Sequence, residues 1–301
     1  MTENEFLLQD RIAKIKSINQ MYDLENNAYI SFSGGKDSTV LHHLLDKASP
    51  NNKIPRVYFN TGIEYKAVFD YVKKLAEKDK RIIIVNSGVN IKDMLNKVGY
   101  PFKSKEHSLY LSTFQNSGTT KTVNRYLNRG GRFECPEKLK YQFTNDFKIK
   151  VSNKCCFELK KKIAEKWSKE NGKTITITGM RQGEGGLRGT LKGCAVFADD
   201  KCKELKKFHP LFPCDENFVN EFIKRNNIEL CELYYPPFNF ERTGCKGCPY
   251  NPKLQEQLMI MTNLLPAERK QCEMIWKPVY DEYRRIGYRL EKEDEFKLFN
   301  I

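Results

Sequence analysis

The chain has 301 residues, 40% hydrophobic and 30% charged, with a formal net charge of +14. That length can bury a core of one large or two small domains, and the composition is that of a soluble globular protein. It contains no run of about 18 apolar residues, which excludes a spanning helix.

The first 30 residues are polar and carry no signal-peptide core, so the expected location is cytoplasmic, with no membrane partner. The positive charge favours polyanionic partners, either a nucleic acid or a highly charged nucleotide, although the lysines are spread widely. Ten cysteines in such a chain point to metal or redox chemistry more than to disulfides.

In chain order, Ile12, Ile15, Ile18 and Met21 have helical spacing and predict a helix over 4–22. Residues 28–32 read as a strand and 38–48 as a helix. PRVYFN (55–60) is a second strand, 64–78 a second helix, and RIIIVN (81–86) a third strand. Alternating strands and helices predict an α/β fold with a doubly wound, mostly parallel sheet. Such sheets bind ligands at the carboxyl ends of their strands.

The pattern fades over 87–150, a basic, irregular insertion with short helices. It resumes with a helix over 156–171, the strand TITITGM (174–180) and a helix over 215–227. Residues 253–289 read as an amphipathic helical segment broken near Pro266. The expected organisation is an α/β nucleotide-binding domain over 1–252 and a helical C-terminal extension over 253–301.

Four motifs carry chemistry. SGGKDS (33–38) lies between a strand and a helix. Gly34 and Gly35 let the backbone approach a ligand, and the helix N-terminus attracts an anion. Ser33 and Ser38 add hydroxyls, Lys36 a positive charge and Asp37 a carboxylate. The loop lacks the Walker A ending.

VYFNTGIEY (57–65) places Asn60, Thr61, Gly62 and Glu64 at the end of the second strand. Taken alone it is an ordinary strand-to-helix connection, with Thr61 as the cap.

The third motif joins SNKCCFELKK (152–161) to RTGCKGCPYN (242–251). Cys155, Cys156, Cys245 and Cys248 could make a closed four-sulfur site. Lys160 follows Cys156 by about one helical turn; in its run of lysines it also reads as a solvated helix residue.

The fourth, ITGMRQGEGGLRG (177–189), runs a strand into a glycine-rich loop carrying Arg181 and Arg188. Arginine makes bidentate bonds to phosphate or sulfate oxygens.

SGGKDS after a strand resembles the PP-loop of the adenine nucleotide alpha hydrolases, which include ATP pyrophosphatases and the sulfonucleotide (APS and PAPS) reductases. VYFNTGIEY looks like the corresponding segment of the PAPS reductase family. The adjacent cysteine pair with a distant C-x-x-C resembles the iron–sulfur members. The arginine loop resembles the family's G-x-R-x-x-E/Q loop, and FHPLF (208–212) its following segment, where His209 either orients the loop or is structural.

The resemblance implies an adenylyl nucleotide (ATP, APS or PAPS), with Mg2+ in the ATP case, bound at Ser33–Ser38 and bordered by Asn60, Thr61, Gly62 and Glu64. It implies a 4Fe–4S cluster on the four cysteines, with zinc as the alternative. It implies catalytic or substrate-binding roles for Lys36, Asp37, Lys160, Arg181 and Arg188, with Lys160 coupling cluster and substrate. Leu159 stands where the reductases often have a basic residue.

The reductases' E-C-G-x-H nucleophile has no match in these 301 residues, and Cys272, in AERKQCEMIW, lacks the Gly and His. Two enzymatic readings stay open: ATP pyrophosphatase chemistry supporting thiolation of tRNA or DNA, with a sulfur donor, and reduction of APS or PAPS with a thioredoxin-like partner. A non-catalytic nucleotide and cluster sensor is a third.

Overall fold

The structure, a computed structural model, describes residues 2–130, 134–184, 191, 193–199 and 203–292. By contact density these form two compact units. The first comprises 1–87 and 162–243, the second 88–161 and 244–301. None of the described helices is long and apolar enough to cross a membrane.

The first unit is the α/β sheet. It opens with α1 (Glu3–Tyr22), whose start is fixed by a capping box between Thr2 and Glu5, and a short α2 (Leu24–Asn27). Ile15 and Ile18 are buried, but Met21 is 59% exposed, so the apolar stripe ends one turn before the helix does.

Then come β1 (Ala28–Ser31), α3 (Lys36–Ala48), β2 (Arg56–Asn60), α4 (Lys66–Lys78) and β3 (Ile82–Asn86). The chain returns as β4 (Ile175–Ile177), β5 (Ala195–Phe197) and β6 (Leu205–Phe208).

The six strands run in the order β3-β2-β1-β4-β6-β5. All neighbours are parallel except β5 and β6. The expected doubly wound, mostly parallel sheet is therefore present. Its order reverses between β1 and β4, and the crevice at the carboxyl ends of those strands is where such sheets hold ligands. Sequence periodicity missed β5 and β6, which have only three and four residues, too few to show an alternation.

Beneath the sheet's other end lies a buried ionic lattice. Arg56, fully buried on β2, donates to His42 Nδ1 (3.2 Å), Asn52 Oδ1 (2.7 Å) and Asp46 Oδ1 (2.6 Å). Arg81 donates to Asp46 and Asp79. The His42, Asp46 and Asp79 ligand atoms lie within 4.8 Å of one another. Two guanidinium groups already satisfy those carboxylates, so the group serves to tie strand to helix.

The second unit is helical. Residues 88–161 supply α5 (Ile91–Val98), α6 (Lys105–Ser117), α7 (Lys121–Asn128) and a π-helical turn, Phe157–Lys161. That turn leads into α8 (Lys162–Glu170), which belongs to the first unit. There α9 (Glu216–Arg225) follows β6. The second unit closes with α10 (Leu254–Leu264) and α11 (Pro266–Ile286), the helix break falling at the expected proline.

Candidate functional site

The loop after β1 is built for an anion. Gly34 has φ +68°, and a Cβ there would lie 2.6 Å from Val72 Cγ2 and 3.0 Å from Val68 Cγ1, so only glycine fits. The Ser33 and Ser38 hydroxyls bond each other at 3.0 Å, and Ser38 donates to the Gly35 carbonyl at 2.8 Å. The Lys36 amide, at the start of α3, donates to the Tyr234 hydroxyl (2.9 Å), which shares a 2.8 Å bond with Thr243. A protein hydroxyl thus meets one of the unpaired amides at the helix N-terminus.

From β4, Gly179 packs directly on this loop. A Cβ there would come 2.7 Å from the Asp37 carbonyl oxygen. Two residues on, Arg181 is 8% exposed and pairs with Asp37 (Nε to Oδ1, 2.9 Å) and with Glu216 (2.6 Å). Glu216 also pairs with Lys36. Burial raises the Glu216 pKa, but the hydrogen bonds from Lys36 and Arg181 outweigh it and hold the carboxyl below its ordinary value. Lys36, Asp37 and Arg181, expected from the sequence, are brought together here.

Glu216, Tyr234 and Thr243 belong to the same cluster and were not expected. Glu216 is the first residue of α9, and nothing in its local sequence marks it. Arg188 lies outside the described residues.

The turn after β2 binds itself. The Thr61 hydroxyl donates to Glu64 Oε1 (2.8 Å), and the Thr61 amide to Glu64 Oε2 (3.1 Å). Asn60 accepts from the Gly62 amide (3.2 Å) and donates to Asn86 (2.9 Å) on β3. The helix does not begin at Glu64, as the sequence reading had it, but at Lys66, with Tyr65 at the N-cap. Glu64 is held back by Thr61, so Thr61 is not the helix cap.

The second unit holds all four expected ligand cysteines and Lys160. None is in a disulfide. Cys155 and Cys156 open the helical stretch before the π-turn; π-turns recur at functional sites. Cys245 and Cys248 bracket a tight turn closed by the Cys248 amide on the Cys245 carbonyl (3.3 Å), with Gly247 at φ +60°. A Cβ on Gly247 would lie 2.7 Å from Cys272 Sγ.

Helix α11 pins this turn from one face. Trp276 Nε1 donates to the Lys246 carbonyl (3.1 Å), the Tyr280 hydroxyl to Gly247, and the Tyr283 hydroxyl to Pro249 (3.0 Å). The spacing of four and three residues places all three donors on one helix face. Cys272, on the same helix, is fully buried, which suits packing rather than nucleophilic attack. Cys135, Cys214 and Cys231 are likewise buried packing residues; Cys194 is half-buried and Cys202 lies outside the described residues.

The thiols sense one another. Burial pushes the Cys155 thiol up, and Cys156, Cys245 and Cys248 add to it, while Lys160 pulls it down. Cys248 is pushed up to about 12, by burial first and then by Cys245, again with Lys160 opposing. Two buried thiols that resist ionising, Cys155 and Cys248, beside two more cysteines form a donor set that a cationic group would complete. An all-sulfur set suits an iron–sulfur cluster or zinc.

Sequence comparison matches the phosphoadenosine phosphosulfate reductase domain over residues 27–251. The uncharacterized protein MJ0973 of Methanocaldococcus jannaschii is 36% identical over 104 residues, which are 32% of this chain. The match spans only 25% of that relative's length.

Among solved structures, the PAPS reductase from Candida auris in a phosphate complex is 17% identical, with a TM-score of 0.43 over 73% of this chain and 81% of that one. The FMN adenylyltransferase of Candida glabrata with FAD and pyrophosphate gives 14% and 0.42 over 75% and 59%. The NH3-dependent NAD synthetase from Campylobacter jejuni gives 12% and 0.40 over 92% and 95%.

Proposed function

Because the chain belongs to the phosphoadenosine phosphosulfate reductase domain family, whose members are nucleotide-using enzymes of the PP-loop type, we propose that it binds an adenylyl nucleotide at the loop after β1. The observation that carries this is the convergence of Lys36 and Arg181 on one carboxylate, Glu216, at the switch point of the sheet. A phosphate group entering there displaces Glu216 and takes both cations, with the α3 amides and the Ser33 and Ser38 hydroxyls as further donors. Asn60, Thr61, Gly62 and Glu64 border the nucleotide, and Arg188 is carried over from its sequence motif as a second substrate-binding arginine. Mg2+ accompanies the phosphates in the ATP case, and Asp37, in the same loop, is the acid we assign to it.

The favoured reaction is adenylation. An oxygen of a tRNA or DNA acceptor attacks the α-phosphorus of ATP, and the bond to pyrophosphate breaks with its electron pair leaving on pyrophosphate. Sulfur from a donor then displaces AMP. Lys36 and Arg181 neutralise the charge developing on the phosphates. Cys155, Cys156, Cys245 and Cys248 fit a 4Fe–4S cluster by donor chemistry, and such a cluster supplies a redox-active, sulfur-binding centre. Lys160 places a positive charge beside those thiolates. The charge of the second unit supports a nucleic-acid acceptor: residues 88–161 carry 15 Lys and Arg against 6 Asp and Glu, a surplus of 9 of the chain's 14.

The family match favours one second reading, reduction of APS or PAPS to sulfite with a thioredoxin-like thiol. An anaerobic assay separates the two. Adenylation gives pyrophosphate from ATP, stimulated by tRNA or DNA and abolished by Lys36→Ala or Asp37→Ala, from a brown protein with about four irons per chain. Sulfite from APS or PAPS without pyrophosphate from ATP establishes the reductase instead.

A further inference from the structure

We propose that a lysine-walled cavity in the second unit, next to the Cys155–Cys156 turn, binds the phosphodiester backbone of a nucleic acid. The proposal deepens the reading of a nucleic-acid acceptor by giving that acceptor a site. The cavity measures about 490 Å³, the scale of a nucleotide-sized ligand. Its wall carries Lys97, Lys148, Lys150 and Lys154 against a single acid, Glu158. All four lysines are exposed.

The wall is built. The Gln115 side chain clamps the segment bearing the lysines, donating to the Ile149 carbonyl (2.7 Å) and accepting from the Val151 amide (3.0 Å). Tyr100 joins the same segment through its amide to Lys150 (2.8 Å) and its carbonyl from Ser152 (2.9 Å). Gly99, at φ +105°, lets these backbones meet, since a Cβ there would lie 2.9 Å from the Val151 carbonyl carbon.

Two lysines also brace the wall. Lys150 donates to the Lys97 carbonyl (2.6 Å) and Lys148 to Asn145 (2.9 Å). Ser112 and Asn116 line the same cavity with neutral hydrogen-bonding groups.

Four cations and neutral donors in a preformed hollow match a backbone of repeating phosphates with ribose hydroxyls or deoxyribose between them. Lys154 immediately precedes Cys155 and Glu158 follows Cys156 by two, so a strand seated here lies along the turn that carries the cysteines. A second cavity, of about 630 Å³ around Lys138 and Arg289, does not combine such a charge ratio with this position.

The test uses the whole anaerobically purified chain with fluorescent tRNA in one arm and an equal-length DNA in another, titrated from 50 to 200 mM salt. The double variant Lys97→Ala/Lys154→Ala spares the two bracing lysines. It should weaken binding at least tenfold at 100 mM salt and lower the log–log salt slope by about 1.4 to 1.8. ATP binding and thermal midpoint should be unchanged.

Lys97→Arg/Lys154→Arg should retain binding. Lys105→Ala/Lys121→Ala, two exposed lysines of the same unit outside the cavity, should have a much smaller effect. The arm that binds tells RNA from DNA. Equal losses in the two alanine variants, no loss in the first, or no binding in either arm overturns the proposal. It stands if the site binds nucleic acid while ATP gives no pyrophosphate, and that second result sinks only the adenylation reading.

Discussion

Glu216 bonds Lys36 and Arg181, the two cations expected to hold phosphate, so it competes with the nucleotide for them. Glu216→Gln removes that competing charge, while Asp37 still holds Arg181 at 2.9 Å. The expected outcome is several-fold tighter binding of ATP or pyrophosphate by calorimetry. Weaker binding would instead make Glu216 part of the nucleotide's own site. The glycines work in the opposite sense, by absence of a side chain. Gly34 and Gly179 admit no Cβ, because Val72 in one case and the Asp37 carbonyl in the other already occupy the space.

At the scale of elements, the C-x-x-C turn depends on α11. Three aromatic donors on one face meet the carbonyls of Lys246, Gly247 and Pro249, and losing the Trp276 or Tyr280 donor leaves a carbonyl of the turn without that bond, at a cost of about 1–3 kcal/mol. Tyr280→Phe and Trp276→Phe should therefore lower the thermal midpoint and speed the loss of iron to a chelator. Unchanged iron retention in both would show that the turn holds its shape without the helix. This dependence was invisible in the sequence. Trp276, Tyr280 and Tyr283 read as the apolar stripe of an amphipathic helix, and only their partners make them hydrogen-bond donors to the cysteine turn.

At the scale of the whole molecule, all four histidines are held below their ordinary pKa, mainly by burial. His42, His107 and His209 come down from 6.5 to about 4, and they are divided between the two units. A histidine depressed in the fold stays neutral there while the unfolded chain takes up its proton. Stability is thus full above about pH 7 and falls as pH drops from 6.5 towards 4, by about 2 kcal/mol per histidine at pH 5. The depressed carboxyls of Asp79 and Glu216 act only lower, as pH falls through 4. Thermal midpoints at pH 7.5, 6 and 5 should fall steadily; a flat profile would mean that the imidazoles gain partners for their charged forms.

The sequence by itself determined four of the six strands and their parallel class, the loop after β1 and the spacing of the four cysteines. Strand alternation, a glycine pair before a helix and thiol spacing are local signals, each written within a few tens of residues. It also showed the basic character of the 87–150 insertion, since charge is read directly from the residues. Only the tertiary structure decided that the basic insertion and the C-terminal helices form one unit around the cysteines, and that Glu216, Tyr234 and Thr243 join the nucleotide loop. Those contacts link residues about 180 to 200 positions apart. No local periodicity reports such a separation; the packing of one fold does.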